Sequence, residues 1–132
     1  MGIFNTIFSN KNGNKKEAKS IINWIPLTSL EQISEIKKQS KQETIAIFKH
    51  STRCGISRMV LKQLESSFDE KLATLKVYYL DLLNYRTVSD EVGYAFQVQH
   101  QSPQLLVIKD EIAIAYASHY DITQLDLLKL NG

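Results

Sequence analysis

Residues 44–64 read TIAIFKHSTRCGISRMVLKQL, and the fold follows from the way this stretch changes period. Thr44–His50 is a short, apolar, β-rich run of the kind that forms a buried strand. Ser51-Thr52-Arg53 is polar and leads to Cys54. Met59, Val60, Leu64 and Phe68 then recur on one helical face, which predicts a helix over 55–67. Cys54 therefore stands at a strand-to-helix junction. The first N–H groups of a helix have no intrahelical acceptors and carry partial positive charge, so they favour an anion. A thiolate is such an anion, and it is the nucleophilic form of cysteine. Arg53 adds an adjacent positive charge, and Ser57 is spaced to turn its hydroxyl back to the sulfur. Gly55 leaves the backbone open to an incoming partner. A free cysteine can also pack as a small inert hydrophobe. The polar or small neighbours Thr52, Arg53, Gly55 and Ser57 argue instead for a loop at the surface.

Outward from this junction, helical and strand patterns alternate. Toward the N-terminus, Trp24 and Ile25 precede Pro26, which marks an edge or a turn. Thr28 to Glu31 has capping-box spacing, and Leu30, Ile33 and Ile36 place a helix over 29–40. Toward the C-terminus, Leu75–Leu83 reads as a strand, with Tyr78 and Tyr79 on opposite faces. Residues 86–96 read as a helix, with Val88, Val92 and Phe96 in line and Gly93 inside it. Pro103 opens the strand Gln104–Lys109, Asp110-Glu111 makes a tight turn, and Ile112–Ala117 returns as a hairpin. Asp121 and Gln124 then have capping-box spacing for a last helix, with Ile122, Leu125 and Leu128 on its apolar face. Strands that alternate with helices pair in parallel through right-handed crossovers, whereas the final hairpin is antiparallel. The expected architecture is α/β, a mixed four- to five-stranded sheet with helices on both faces.

The 132 residues suit one domain, which occupies 21–132, after a flexible N-terminal segment over 1–20. A hydrophobic share of 43% excludes wholesale disorder. A net charge of +2 is not the dense basic footprint of a nucleic-acid binder, and the basic run Lys11–Lys19 reads as a solvated leader. No stretch is long enough for a membrane span, and MGIFNTIFSN lacks the basic n-region of a signal peptide. Gly2 followed by Thr6 fits the loose myristoylation pattern, but a short apolar arm is the simpler reading. The expected location is cytoplasmic, with neither nucleic acid nor membrane as partner. A single cysteine excludes an intramolecular disulfide and a cysteine-rich zinc site, and the three histidines have no metal-type spacing. His50 reads as closing its strand, His119 as a loop residue fixing the last helix, and His100 as a candidate at the border of the site. Arg53, Lys49 and His50 together would bias the pocket toward anionic groups.

The strand, loop, Cys-x-x-Ser and helix, followed about fifty residues later by Ser102-Pro103 at the start of a hairpin, resemble a thioredoxin-fold protein. On that resemblance Cys54-Gly55-Ile56-Ser57 occupies the redox motif. Ser102-Pro103 occupies the cis-proline position that faces it and pairs with an extended substrate segment. The runs FKHSTRCGIS, YYLDLL, HQSPQLLVIKDE and ASHYDIT are similar to the YtxJ-type monothiol bacilliredoxin family over about residues 23–131. Three positions depart from family patterns. Gly55 stands where the family has proline. Phe48 stands where many thioredoxins carry a buried acid, and Ser57 stands where they carry a resolving cysteine.

The resemblance implies a thiol–disulfide oxidoreductase that removes bacillithiol, or a similar low-molecular-weight thiol, from S-thiolated client proteins. Cys54 is the implied nucleophile, with Ser57 beside it. Arg53, Gly55, Ile56, Ser102, Pro103 and His100 are the implied substrate contacts. No bound cofactor is implied; the small thiol is a co-substrate, and a second thiol or a recycling reductase must release it from Cys54. Two other readings stay open from the residues. Cys-Gly-Ile-Ser is similar to the Cys-Gly-Phe-Ser motif of monothiol glutaredoxin-like iron–sulfur carriers, although their Val-Pro and Gly-Gly-Asp elements have no counterpart here. A non-catalytic thioredoxin-fold adaptor or stress protein would use a sheet edge or the N-terminal arm instead.

Overall fold

A computed structural model describes residues 21–131. The expectations for residues 1–20 lie outside it. Five strands, β1 (Trp24–Pro26), β2 (Ile45–His50), β3 (Lys76–Asp81), β4 (Gln104–Lys109) and β5 (Ile112–Ser118), form one sheet in the order β1-β3-β2-β4-β5. β3 runs parallel to β1 and β2, whereas β4 is antiparallel to both β2 and β5. The helices are α1 (Leu30–Gln39), α2 (Gly55–Ser67), α3 (Arg86–Phe96) and the short α4 (Leu127–Asn131). The architecture is the expected mixed α/β sheet. Among the described residues no helix is long and apolar enough to cross a membrane.

All six residues of β2 are buried, because it is the central strand and both of its faces are covered. The period of two divides its side chains between two cores. Ala46 and Phe48 join Val60 and Leu64 of α2, together with Leu105, Val107 and Ile122. Ile45 and Ile47 join Ile33 and Ile36 of α1 and Val88, Val92 and Phe96 of α3. Tyr78 and Tyr79 fall to opposite sides, as their alternation requires.

Local chemistry sets the ends of the elements. The N-terminal box of α1 lies one residue later than the Thr28/Glu31 spacing suggests. Ser29 is the N-cap, and Gln32 Oε1 accepts from the N–H groups of Thr28 at 2.8 Å and Ser29 at 3.1 Å. Gln32 Nε2 also donates to the Pro26 carbonyl at 2.8 Å, so one amide ties β1 to α1. The hairpin turn has no glycine, and Asp110 and Glu111 take positive φ of 52° and 70°. Ser40 holds this turn from across the chain: its carbonyl accepts from Asp110 N–H at 2.8 Å and its hydroxyl from Glu111 N–H at 2.9 Å.

Two expectations need correction. The last helix is not one element capped by Asp121. His119–Gln124 is a 3-10 segment that packs on α2, Leu125 is extended, and α4 begins afresh at Leu127. Asp126 caps this second start, its carboxylate accepting from Lys129 N–H at 3.1 Å. The break is what buries Ile122 and Leu127 while Leu128 stays exposed. Met59 belongs to the exposed side of α2 rather than to its apolar stripe.

The C-cap of α3 is Gln97, in the left-handed region at φ 56°. A side chain there costs about 1–2 kcal/mol that glycine avoids. Gln97→Gly is therefore expected to raise the unfolding free energy by about 1 kcal/mol, net of one exposed side-chain hydrogen bond. Urea denaturation measures it, and a lower midpoint would contradict the assignment of the cap.

Candidate functional site around Cys54

Cys54 is the N-cap of α2, with extended backbone (φ −102°, ψ 122°) and a partly exposed free thiol. Its N–H donates to the Ser51 carbonyl at 3.2 Å, and its carbonyl accepts from Arg58 N–H at 3.0 Å. The turn from Ser51 to Cys54 is thus tied at both ends, and the sulfur sits at the open N-terminus of a thirteen-residue helix with no acidic residue in its first turn. Arg53 and Gly55 are exposed, and Ile56 is 39% exposed. Ile56 and Met59 rise on the outer side of α2, where the Tyr120 hydroxyl reaches Met59 Sδ at 3.7 Å. A cleft of about 400 Å³ opens between Thr52, Arg53, Leu83 and Asn84.

Ser57 does not reach for the sulfur. It is fully buried; Ser51 N–H donates to its Oγ at 3.1 Å, and its Oγ lies 2.7 Å from His50 Nδ1. The hydroxyl can donate to the imidazole or accept from it, according to the ring tautomer. The expected serine–thiol contact is replaced by a serine–histidine bond that pins the Ser51–Cys54 turn to the end of β2. His50 is 2% exposed and stacks on Phe48 with ring centroids 5.8 Å apart. Burial pushes its pKa below 6.5, aided by Arg58 and opposed by Asp81 and Glu65.

The expected attraction of anions by Lys49 and His50 also changes. Neither side chain faces the thiol's cleft. The period of two sends Lys49 to the α3 side of the sheet, where it is fully buried. Its Nζ donates to the Ser89 carbonyl at 3.0 Å and lies 3.2 Å from His100 Nδ1. Burial lowers Lys49 to about 8, against the opposing charge of Asp90. His100 is part of this cluster, with Ser89 Oγ at 3.3 Å from the same ring nitrogen. Its pKa is also lowered, by burial and by the charges of Lys49 and Arg86. The cations left near the thiol are Arg53 and Arg58. Sequence reasoning passed over Arg58. Its guanidinium folds back to donate to the Thr52 carbonyl at 3.0 Å, and its place four residues after Cys54 was the available signal.

The Ser102–Pro103 peptide bond is cis. Pro103 is buried, and its carbonyl accepts from His119 N–H at 2.9 Å. Because Gln104 pairs with Lys49 across β2 and β4, Ser102–Pro103 lies at the same end of the sheet as the Ser51–Cys54 turn. Gly55 is not demanded by its backbone: its φ is not positive, and an added Cβ would meet nothing closer than Arg58 at 3.8 Å. Among the described residues no group of three or more His, Cys, Asp or Glu side chains is placed to hold a metal ion.

Set beside known proteins, residues 25–127 match the family model described as monothiol bacilliredoxin BrxC. A thioredoxin-fold structure described as a candidate oxidoreductase is 24% identical, with a TM-score of 0.68, covering 83% of this chain and 94% of that one. Thioredoxin from Nicotiana alata is 19% identical with a TM-score of 0.67, covering 89% of this chain and 100% of that one. Thioredoxin from Trypanosoma brucei brucei is 15% identical with a TM-score of 0.64, over 87% and 92% of the two chains. At these identities the structures establish the thioredoxin fold.

Two outcomes follow from the geometry. Ser57→Ala leaves Ser51 N–H and His50 Nδ1 buried without a partner, and should lower the unfolding free energy by about 1–3 kcal/mol in urea. An unchanged midpoint would show that the hydroxyl is not engaged. His50 and His100 have folded pKa values below their unfolded 6.5. The unfolded chain therefore binds protons first as the pH falls, and this part of the stability is present above pH 6.5 and lost as the pH drops through the folded values. The urea midpoint should fall between about pH 7 and pH 5; a level or rising midpoint would contradict the buried, neutral imidazoles.

Proposed function

This chain belongs to the monothiol bacilliredoxin family, and from that premise we propose that it removes bacillithiol, or a similar low-molecular-weight thiol, from proteins that carry it as a mixed disulfide. The observation that carries the reading is the solitary, partly exposed thiol at the N-cap of α2, with no second cysteine anywhere in the chain. The Cys54 thiolate attacks the small-thiol sulfur of the client's mixed disulfide. The client sulfur leaves with the electron pair of the broken S–S bond and takes a proton from solvent, and Cys54 is left joined to the small thiol. A second small-thiol thiolate then attacks this adduct. It forms the small-thiol disulfide and returns Cys54 to thiolate, unless a recycling reductase performs the same step.

Each element of the site has a part in this. The helix N-terminus and Arg53 place positive potential beside the sulfur as it attacks and as it leaves. Arg53, on the cleft with Thr52, Leu83 and Asn84, receives anionic groups of the small thiol. Ile56 gives apolar contact to the client, and Gly55 keeps the approach to the sulfur open. Ser102–Pro103 offers the backbone that an extended client segment pairs with. His100 acts behind this segment rather than as a direct substrate contact. Ser57 serves by holding the turn that carries Cys54. The protein works in the cytoplasm, and S-thiolated proteins are its partners.

The test mixes wild type or Cys54→Ser with a client protein bearing bacillithiol and follows the client's free thiol. Wild type should release it, Cys54→Ser should not, and the intact mass of the wild-type protein should rise by one small-thiol adduct that reductant removes. Equal rates for the two proteins would overturn the proposal.

A further inference from the structure

Lys49 is the one lysine of the described chain that is wholly buried, and the thiol chemistry above does not use it. A buried amine is destabilising unless its protons are all but satisfied. One proton goes to the Ser89 carbonyl in the first turns of α3, at 3.0 Å. Another goes to His100 Nδ1, at 3.2 Å. His100 opens the segment that ends in Ser102–Pro103. Lys49's cross-strand neighbour Gln104 closes that segment. Gln104 is 1% exposed, and its Nε2 donates to the Gln99 carbonyl at 2.9 Å. Residues 99–104 are thus held at both ends from one register position of the sheet, by the side chains of a directly paired couple on β2 and β4. Ser102 Oγ and Gln104 Oε1 are buried and have no partner among the described residues. The other polar bonds that hold the segment are the Pro103 carbonyl accepting from His119 N–H, the Ser89 Oγ contact with His100 Nδ1 at 3.3 Å, and the strand pairing of Gln104 with Lys49 and Ser118.

We propose that Lys49 is a positioning residue for the reaction: by binding His100 it fixes the Ser102–Pro103 segment at the height where a client chain pairs beside Cys54. This rests on the thiol-exchange reading above and adds to it a lysine on the far face of the sheet from the helix that carries the thiol. The lysine touches neither substrate nor sulfur. Its effect is on where the client lies, while the chemistry of the thiol is set on the other face by the His50–Ser57 bond and the start of α2.

The division of labour makes the proposal testable. In Lys49→Met and, independently, in His100→Leu, the KM for a thiolated client should rise about tenfold or more, the worth of a hydrogen bond from a charged donor. Alkylation of Cys54 by iodoacetamide should stay within about twofold of wild type, because that reagent needs no client pairing. His100→Gln, which restores an acceptor, should recover most of the KM. Hydrogen exchange read by mass spectrometry supplies a readout independent of turnover: amides of 99–104 should lose protection in Lys49→Met while those of α2 keep theirs. Loss of exchange protection across the whole chain, or KM and alkylation changing together, would make Lys49 merely structural and overturn the proposal. So would unchanged KM and unchanged protection in both variants. If wild type fails to act on the client, the proposed function falls; exchange at 99–104 still decides whether Lys49 holds the segment.

Discussion

The site depends on how a fully buried central strand ends. Six consecutive residues of β2 are out of water, and the last two, Lys49 and His50, are polar. Neither can reach solvent by its own length, and the strand period sends them to opposite faces. Each must find a partner on the element packed against its face. His50 finds the Ser57 hydroxyl at the start of α2, and Lys49 finds Ser89 and His100 beneath α3. One constraint, satisfied twice, thereby anchors both halves of the site. The turn bearing Cys54 is fixed from one face and the segment bearing Ser102–Pro103 from the other.

Much of this fold was legible in the sequence because its elements carry strong periods. Helices α2 and α3 occupy the residues their apolar spacing predicts, and the strands differ from expectation by only a residue or two at their ends. The misreadings share a cause: in each, a tertiary partner outranked local spacing. Thr28/Glu31 and Ser29/Gln32 are equally good capping pairs on paper. The second prevails because Gln32 also reaches the Pro26 carbonyl. Asp121/Gln124 looks like a helix start, but burying Ile122 beside α2 and Leu127 beyond it requires a break between them. In FKHS the strand reads as buried, yet Lys49 and His50 read as basic groups of the pocket. Only the layers above and below show which partner each side chain takes instead. Cys54 itself was readable, since a thiol between a buried strand and an amphipathic helix has few other places to be. The true partner of Ser57 was not, because a spacing of three from the cysteine suggests the sulfur as readily as a histidine seven residues upstream.

Gly55 gains meaning from the same geometry. Cys54 at φ −102° and ψ 122° already has the extended backbone that precedes a proline, and the first helical position needs no N–H. The chain keeps the shape proper to the family's proline without the ring that stiffens it. What glycine removes is restraint on the unfolded chain and bulk beside the sulfur, rather than the conformation that presents the thiol.

The strand order carries a consequence for how the protein is made. β2 is early in the chain yet central in the sheet, and both of its neighbours come later. Its second edge is closed only by β4, whose last residue, Lys109, follows His50 by 109 − 50 = 59 residues. At about 5–20 residues per second, a ribosome needs about 3–12 seconds to deliver that partner. For that interval the strand that ends up wholly buried has an unpaired edge, and for most of it Lys49 has no His100 to bind. The cysteine emerges well before the scaffold that surrounds it, so the newborn thiol is at first an ordinary side chain.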